Sequence, residues 1–162
     1  MPSEIEEYIN ILDDKIHRIF QRKQKKFIED EHRDILDDGS NHTIEQIKEE
    51  YKRKKRTMKY GEVWQVAMGN FPGWENLGNG HESKCDVRKK DNSAIIELKN
   101  RYNTVNSGGK SELERKLSAY KEKNPDTECI WGVINTQKRN TGSYTQYEAN
   151  GQLITKRQGS NL

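Results

Sequence analysis

The sequence predicts an α/β or α+β domain in which helices flank a mixed β-sheet. Residues 128–135 form a near-continuous apolar run, which is typical of a central strand buried on both faces. The first 38 residues instead repeat apolar side chains at steps of three and four, as an amphipathic helix does. Short apolar segments flank two turn sequences, Asp91-Asn92 and Asn150-Gly151, and each pair of segments predicts a hairpin.

Two capping boxes mark the starts of the first helices. Ser3 stands three residues before Glu6, and Thr43 stands three residues before Gln46. In this motif the hydroxyl and the later side chain satisfy backbone N–H groups at the helix start. Helices are therefore predicted to begin at these two positions.

We expect one domain, with a helical N-terminal segment over residues 1–56 packed on a core over residues 57–162. Within the core, residues 57–69 are rich in large apolar side chains and predict a buried helix. A further helix is predicted over residues 111–122, because Asn124-Pro125 ends it. Two tryptophans are expected in the core: Trp64 and Trp131.

Composition argues against a membrane protein and against a secreted one. Charged residues make up 34% of the chain, and the mean hydropathy is −1.19. The two cysteines lie far apart and form no CxxC motif, which favours a reducing, cytoplasmic setting and disfavours zinc. Residues 1–50 carry 8 basic and 14 acidic residues, whereas residues 51–162 carry 21 and 12. A polyanion would therefore approach the later part of the chain.

Counting outward from the Asp91-Asn92 turn sets an expected strand register. Arg88 then opposes Ile95, and Asp86 opposes Glu97. One face is predicted to be apolar and to pack on the core, and the other to be polar. The apolar face would carry Cys85, Val87, Ala94, Ile96 and Leu98; the polar face would carry Lys84, Asp86, Arg88, Glu97 and Lys99, with Ile95 among them.

Two carboxylates opposed across a sheet repel each other, so something must offset their charge. A divalent cation such as Mg²⁺ would do so, since it takes oxygen ligands and keeps several waters. Lys99 would neutralise part of the charge. In the alternative interpretation, Asp86 and Glu97 only pair with Arg88 and Lys99 on a solvated sheet face.

The same residues resemble the PD-(D/E)xK nuclease superfamily. Asp86, ten intervening residues and then Glu97-Leu98-Lys99 match its motif, and Cys85 stands where the family often has proline. The predicted order of helices and strands is similar to the restriction-endonuclease-like core. The residues around the motif, Gly80–Ser83 and Asn100–Ser107, resemble type II restriction endonucleases, in particular the subgroup that cuts short GG…CC palindromes.

This resemblance implies a role for each motif residue. Asp86 and Glu97 would bind Mg²⁺, with the Leu98 carbonyl completing the site. Lys99 would position or help deprotonate the attacking water and stabilise charge in the transition state. A glutamate on the preceding helix often joins the metal site in this family, and Glu62 is the candidate. In the alternative interpretation, Glu62 is only an exposed helix residue.

The segment after Lys99 is rich in amide side chains and leads into a helix start. Amides can read base edges, and helix N-termini attract phosphate. We therefore expect DNA contacts from this segment, or a flexible loop in the alternative interpretation. Glu82 and His81 would lie near the site, His81 as a loop residue or a DNA contact. The expected DNA-binding residues are Asn103, Thr104, Asn106, Lys110 and His81.

The implied function is Mg²⁺-dependent hydrolysis of double-stranded DNA by a type II restriction endonuclease. A palindromic target implies a homodimer, and a restriction system implies a cognate DNA methyltransferase as partner. Two alternatives stay open from the sequence. One is a repair nuclease or junction resolvase with the same core, and the other is a non-catalytic DNA-binding or protein-interaction module whose acidic pair is structural.

Overall fold

A computed structural model describes residues 3–22, 43–78, 80–102, 105–136 and 142–162. These residues contain three α-helices, a six-stranded sheet and a short 3₁₀ turn. The helices are α1 (Glu4–Gln21), α2 (Ile44–Asn70) and α3 (Ser107–Lys123). The strands are β1 (Trp74–Asn76), β2 (Val87–Lys89), β3 (Ala94–Arg101), β4 (Glu128–Asn135), β5 (Ser143–Ala149) and β6 (Gln152–Gln158), followed by the 3₁₀ turn Gly159–Asn161.

The sheet is mixed and has the strand order β1-β2-β3-β4-β6-β5. Strands β3, β4 and β6 run parallel at its centre, and the outer pairs are antiparallel. Helix α3 connects the parallel neighbours β3 and β4, as parallel pairing requires a long crossover. The predicted fold class, a mixed sheet flanked by helices, is confirmed.

Both predicted capping boxes are present. Ser3 Oγ accepts from the Glu6 backbone N–H at 3.2 Å, and the Glu6 carboxylate accepts from the Ser3 N–H at 2.7 Å. Thr43 and Gln46 make the same reciprocal pair at 3.3 and 2.8 Å. The helix predicted over the first 38 residues is observed as far as Gln21, and residues 23–42 lie outside the described part of the chain.

Helix α2 differs from the predicted buried helix over residues 57–69. It runs unbroken from residue 44 to residue 70, through the boundary expected at residues 56 and 57. Met58 is 62% exposed and Trp64 is 38% exposed. The expected core position of Trp64 is therefore wrong, whereas Trp131 lies in the core at 5% exposure, as predicted. Helix α2 packs on α1 and on strands β1, β2 and β3, and several of its large side chains stay exposed.

The core lies on both faces of the central strands. Eight buried residues line the α3 face of the sheet: Cys85, Ile95, Leu113, Leu117, Cys129, Trp131, Val133 and Ile154. Five line the α2 face: Val87, Ala94, Ile96, Leu98 and Ile130. Burial on both faces explains why β3 and β4 read as apolar runs.

The predicted element boundaries hold best where turn chemistry defines them. Strand β4 spans the predicted residues, and the last hairpin turns at Asn150-Gly151, where both residues have positive φ (52° and 74°). Helix α3 begins at Ser107 rather than at Ser111, because the Asn106 side chain caps it by accepting from the Gly109 N–H. No helix in the described ranges is long and apolar enough to cross a membrane.

Candidate active site

The hairpin β2–β3 has the predicted register, with Arg88 opposite Ile95 and Val87 opposite Ile96. The register changes one residue earlier. The Asp86 N–H donates to the Ile96 carbonyl at 3.0 Å, so Asp86 and Val87 both face Ile96. This two-against-one arrangement is a β-bulge. The direct opposition predicted for Asp86 and Glu97 is therefore replaced by a bulge that places Asp86 beside the Glu97–Leu98 peptide.

The bulge also corrects the predicted faces of the hairpin. Cys85 was expected on the same face as Val87, but it packs with Ile95 on the α3 face. Lys84 has a positive φ of 55°, so the extended chain is broken just before Cys85. Side chains upstream of this break no longer follow the alternation counted from the turn.

Asp86 is held by two neutral donors. Gln65 Nε2 on α2 donates to its Oδ1 at 2.7 Å, and the Leu98 N–H donates to its Oδ2 at 2.7 Å. Burial raises the pKa of the Asp86 carboxyl, and the nearby Glu97 carboxylate raises it further, to about 6. Asp86 is thus a desolvated carboxylate next to a second negative charge.

Glu97 is buried at 5% exposure, and two lysine ammonium groups compensate its charge. Lys99 Nζ donates to Glu97 Oε1 at 2.7 Å, and Lys116 Nζ on α3 lies 2.9 Å from Oε2. The second contact lacks hydrogen-bond angles, so Oε2 accepts no hydrogen bond from the described residues. Glu97 therefore keeps one buried oxygen with unused lone pairs.

These contacts bear on the alternative of a solvated sheet face. Lys99 does pair with Glu97, as that alternative expected, but Glu97 is buried. Arg88 pairs with Glu75 on β1 at 2.7 Å, and it does not pair with Asp86. The two acids therefore converge in a largely dry corner of the sheet instead of on a wet face.

The oxygen donors are of the kind that suits hard divalent cations, among them Mg²⁺. Asp86, which accepts from the Leu98 N–H, and Glu97, the residue before Leu98, each supply a carboxylate. Glu97 Oε2 is buried and accepts no hydrogen bond from the described residues. Mg²⁺ is commonly held by one or two carboxylates, with waters and substrate phosphates filling the other positions. Among the described residues no group of three or more His, Cys, Asp or Glu side chains is placed to hold a metal ion.

The predicted helix glutamate has a partner outside the acidic pair. Glu62 forms an ion pair with Arg22 at 2.7 Å, and its side chain is 37% exposed. One turn later on the same helix, Gln65 contacts Asp86. Helix α2 thus does contribute to the site, through an amide that the sequence did not single out. Lys116 was also missed, because nothing in the sequence links residue 116 to residue 97.

The predicted DNA-contact residues have varied surroundings. His81 Nδ1 bonds to Ser83 Oγ at 2.8 Å in the loop before Asp86, and Glu82 lines a cavity beside α3. Asn106 caps α3, and Lys110 lies 3.6 Å from Glu114 one turn further along. The other two predicted contacts, Asn103 and Thr104, lie outside the described residues.

Lys156 on β6 lies on the face of the sheet that carries Glu97. Glu97 on β3 pairs with Trp131 on β4, and Trp131 pairs with Lys156 on β6, so the three residues form one row across the sheet. Lys156 Nζ lies 4.1 Å from the centre of the Trp131 ring, a cation–π contact. Burial lowers the pKa of Lys156, and the charge of Lys110 lowers it further. No carboxylate pairs with Lys156 in the described part of the chain.

Comparison with known proteins identifies a family for this chain. The sequence model of the Eco47II restriction endonuclease family matches residues 3–158. The type II restriction enzyme Sau96I of Staphylococcus aureus is 33% identical over 88 residues, which are 54% of this chain and 33% of that enzyme. The matched region thus spans a third of that relative, and no solved structure matches significantly. Because the family match covers nearly all of its length, this chain belongs to the Eco47II restriction endonuclease family.

Proposed function

We propose that this protein is a Mg²⁺-dependent type II restriction endonuclease that hydrolyses phosphodiester bonds of double-stranded DNA. One observation carries the proposal: Asp86 accepts from the Leu98 N–H and is close enough to Glu97 for that charge to raise its pKa, and the Lys99 ammonium lies 2.7 Å from Glu97. Two carboxylates and an amine at one corner of a sheet resemble a PD-(D/E)xK nuclease site, and this resemblance supports the proposal. Family membership and the Sau96I relative support the same reaction class.

In this reaction a water oxygen forms a bond to phosphorus, one P–O ester bond breaks, and the departing oxygen takes a proton. Asp86, Glu97 and the Leu98 carbonyl would hold the cation. When bound, Mg²⁺ would supply Lewis-acid stabilisation of the negative charge that builds on the phosphate. Lys99, fixed by Glu97, would orient the water and donate hydrogen bonds to the phosphate oxygens. Gln65 would keep Asp86 oriented toward the cation.

We further propose a palindromic target containing GG and CC, read by a homodimer. The palindrome rests on the resemblance of the residues flanking Glu97 to enzymes of that subgroup. A two-fold symmetric target calls for a two-fold symmetric protein. Apolar side chains on α1 support an interface there, since Ile5 is 65% exposed and Ile9 is 54% exposed. A methyltransferase that protects the same target would complete the system.

Digestion of plasmid DNA in Mg²⁺, followed by sequencing of the ends, tests the proposal. Discrete fragments with one shared end sequence are expected, and no cleavage is expected after chelation. Structure-dependent nicking would instead favour a repair nuclease or resolvase. Lys99→Ala should abolish cleavage while preserving the fold, and Lys90→Met, in the exposed turn of the same hairpin, is the matched control. Equal cleavage by wild type and Lys99→Ala would refute the assigned role.

A further inference from the structure

Lys116 connects the two segments that carry the carboxylates. Its ammonium lies 2.9 Å from Glu97 Oε2 and also donates to the backbone carbonyl of Lys84, two residues before Asp86. The Lys116 side chain is only 17% exposed. A lysine on α3 thus reaches across to the candidate metal ligands, although the proposed reaction assigns it no role.

The charges at this corner balance without a metal. Asp86 and Glu97 carry two negative charges, and Lys99 and Lys116 carry two positive charges. Both Glu97 oxygens face an ammonium group, Oε1 at 2.7 Å and Oε2 at 2.9 Å. A divalent cation placed here would be repelled by both lysines, and this repulsion is strong because the site is largely desolvated.

The structure also offers Lys116 a place to move. A cavity of about 270 Å³ lies beside it, between α3 and the loop before Asp86. Its lining includes Lys116 itself and one carboxylate, Glu82, together with three further basic residues: Lys84, Arg115 and Lys123. A lysine stem is flexible, so the ammonium can turn from Glu97 toward the Glu82 carboxylate in this cavity. Lys99, in contrast, belongs to the strand that carries Glu97.

We propose that Lys116 is a displaceable counter-ion of Glu97. It neutralises the carboxylate in the metal-free protein and withdraws into the adjacent cavity when a divalent cation binds. This inference rests on the proposed function, because it takes Glu97 as a metal ligand. Its consequence is that Lys116 weakens metal binding to the DNA-free protein. The negative charge of a DNA phosphate would restore the balance, so metal loading becomes dependent on substrate.

Titration of the DNA-free protein with Mg²⁺ by calorimetry tests the idea without any activity measurement. Lys116→Met keeps the aliphatic stem and removes the charge, and it should bind Mg²⁺ about tenfold more tightly, within the range by which groups outside the ligand set alter metal affinity. Lys116→Arg keeps the charge and should stay within about threefold of wild type. Lys90→Met, which removes an exposed lysine from the β2–β3 turn outside this cavity, is the control and should match wild type.

Unchanged or weaker Mg²⁺ binding by Lys116→Met would overturn the proposal and make Lys116 a fixed positioning residue. If this variant unfolds without metal, the Mg²⁺ concentration that restores folding serves as the readout. That concentration is corrected for the measured unfolding equilibrium to give a dissociation constant: a value below that of wild type supports the proposal, and an equal or larger value contradicts it. Failure of wild type both to bind Mg²⁺ and to cut DNA would instead refute the proposed function.

Discussion

Replacing Asp86 by Asn should stabilise the metal-free protein while removing its activity. The carboxylate is buried beside Glu97, and these two causes raise its pKa from 3.8 to about 6. A shift of about two pKa units corresponds to about 3 kcal/mol of unfavourable free energy for the charged form. Asn can keep both hydrogen bonds: its oxygen accepts from the Leu98 N–H, and a flipped Gln65 amide accepts from its NH₂.

The sign of the effect depends on pH. Above pH 6 the folded state holds a charge that the unfolded state carries in water, so wild type is destabilised relative to Asp86→Asn. Well below the ordinary pKa of 3.8 the carboxyl is protonated in both states, and the difference disappears. At about 2–4 °C per kcal/mol, the variant should melt about 6–12 °C higher at pH 7.5.

Thermal unfolding of both proteins in chelator, from pH 3.5 to pH 8, measures this difference. Saturating Mg²⁺ should narrow the gap, because only wild type keeps both carboxylates to bind it. A variant that is less stable at pH 7.5, or a difference that does not change with pH, would refute the assignment of Asp86 as a desolvated, repelled carboxylate.

Three other predictions follow from named contacts. Lys156→Met should weaken DNA binding and reduce the slope of log affinity against log salt by about one, if Lys156 contacts a phosphate; an unchanged slope would rule that contact out. Gly69→Ala should cost about 1–2 kcal/mol in chemical denaturation, because a Cβ there lies 2.5 Å from Asn76 Cβ, whereas Gly61→Ala, in open space on the same helix, should stabilise by up to about 1 kcal/mol. Glu62→Gln should leave Mg²⁺ affinity unchanged, since its carboxylate pairs with Arg22, and a tenfold loss in calorimetry would make Glu62 a ligand after all.

Local rules account for most of what the sequence predicted. Both helix starts followed from capping boxes, and the last hairpin followed from Asn150-Gly151, because these signals act within three or four residues. The register at Arg88 and Ile95 followed from the turn for the same reason. These features need no knowledge of tertiary packing.

The wrong predictions concern residues whose positions depend on tertiary packing and not on the local sequence pattern. Counting along an ideal strand cannot anticipate the positive φ of Lys84, so it missed the bulge at Asp86 and misplaced Cys85. Trp64 sits in an apolar run, yet burial depends on what packs against α2, and that face is partly open. Gln65 and Lys116 joined the site through contacts spanning 21 and 19 residues, which no motif encodes.

The two carboxylates are compensated unequally, so the proposed cation would affect the energy of each one differently. Glu97 faces two ammonium groups, so in the metal-free protein its charge is already neutralised. Asp86 receives only an amide and a backbone N–H, and no lysine pairs with it among the described residues. A bound cation would therefore relieve an existing electrostatic cost at Asp86, whereas at Glu97 it must replace an existing partner. The cation would gain free energy at Asp86, but at Glu97 it would only replace the lysines. Its net attraction to the site is therefore modest without substrate. A phosphate at Lys99 would then add the negative charge that makes binding of the cation strong.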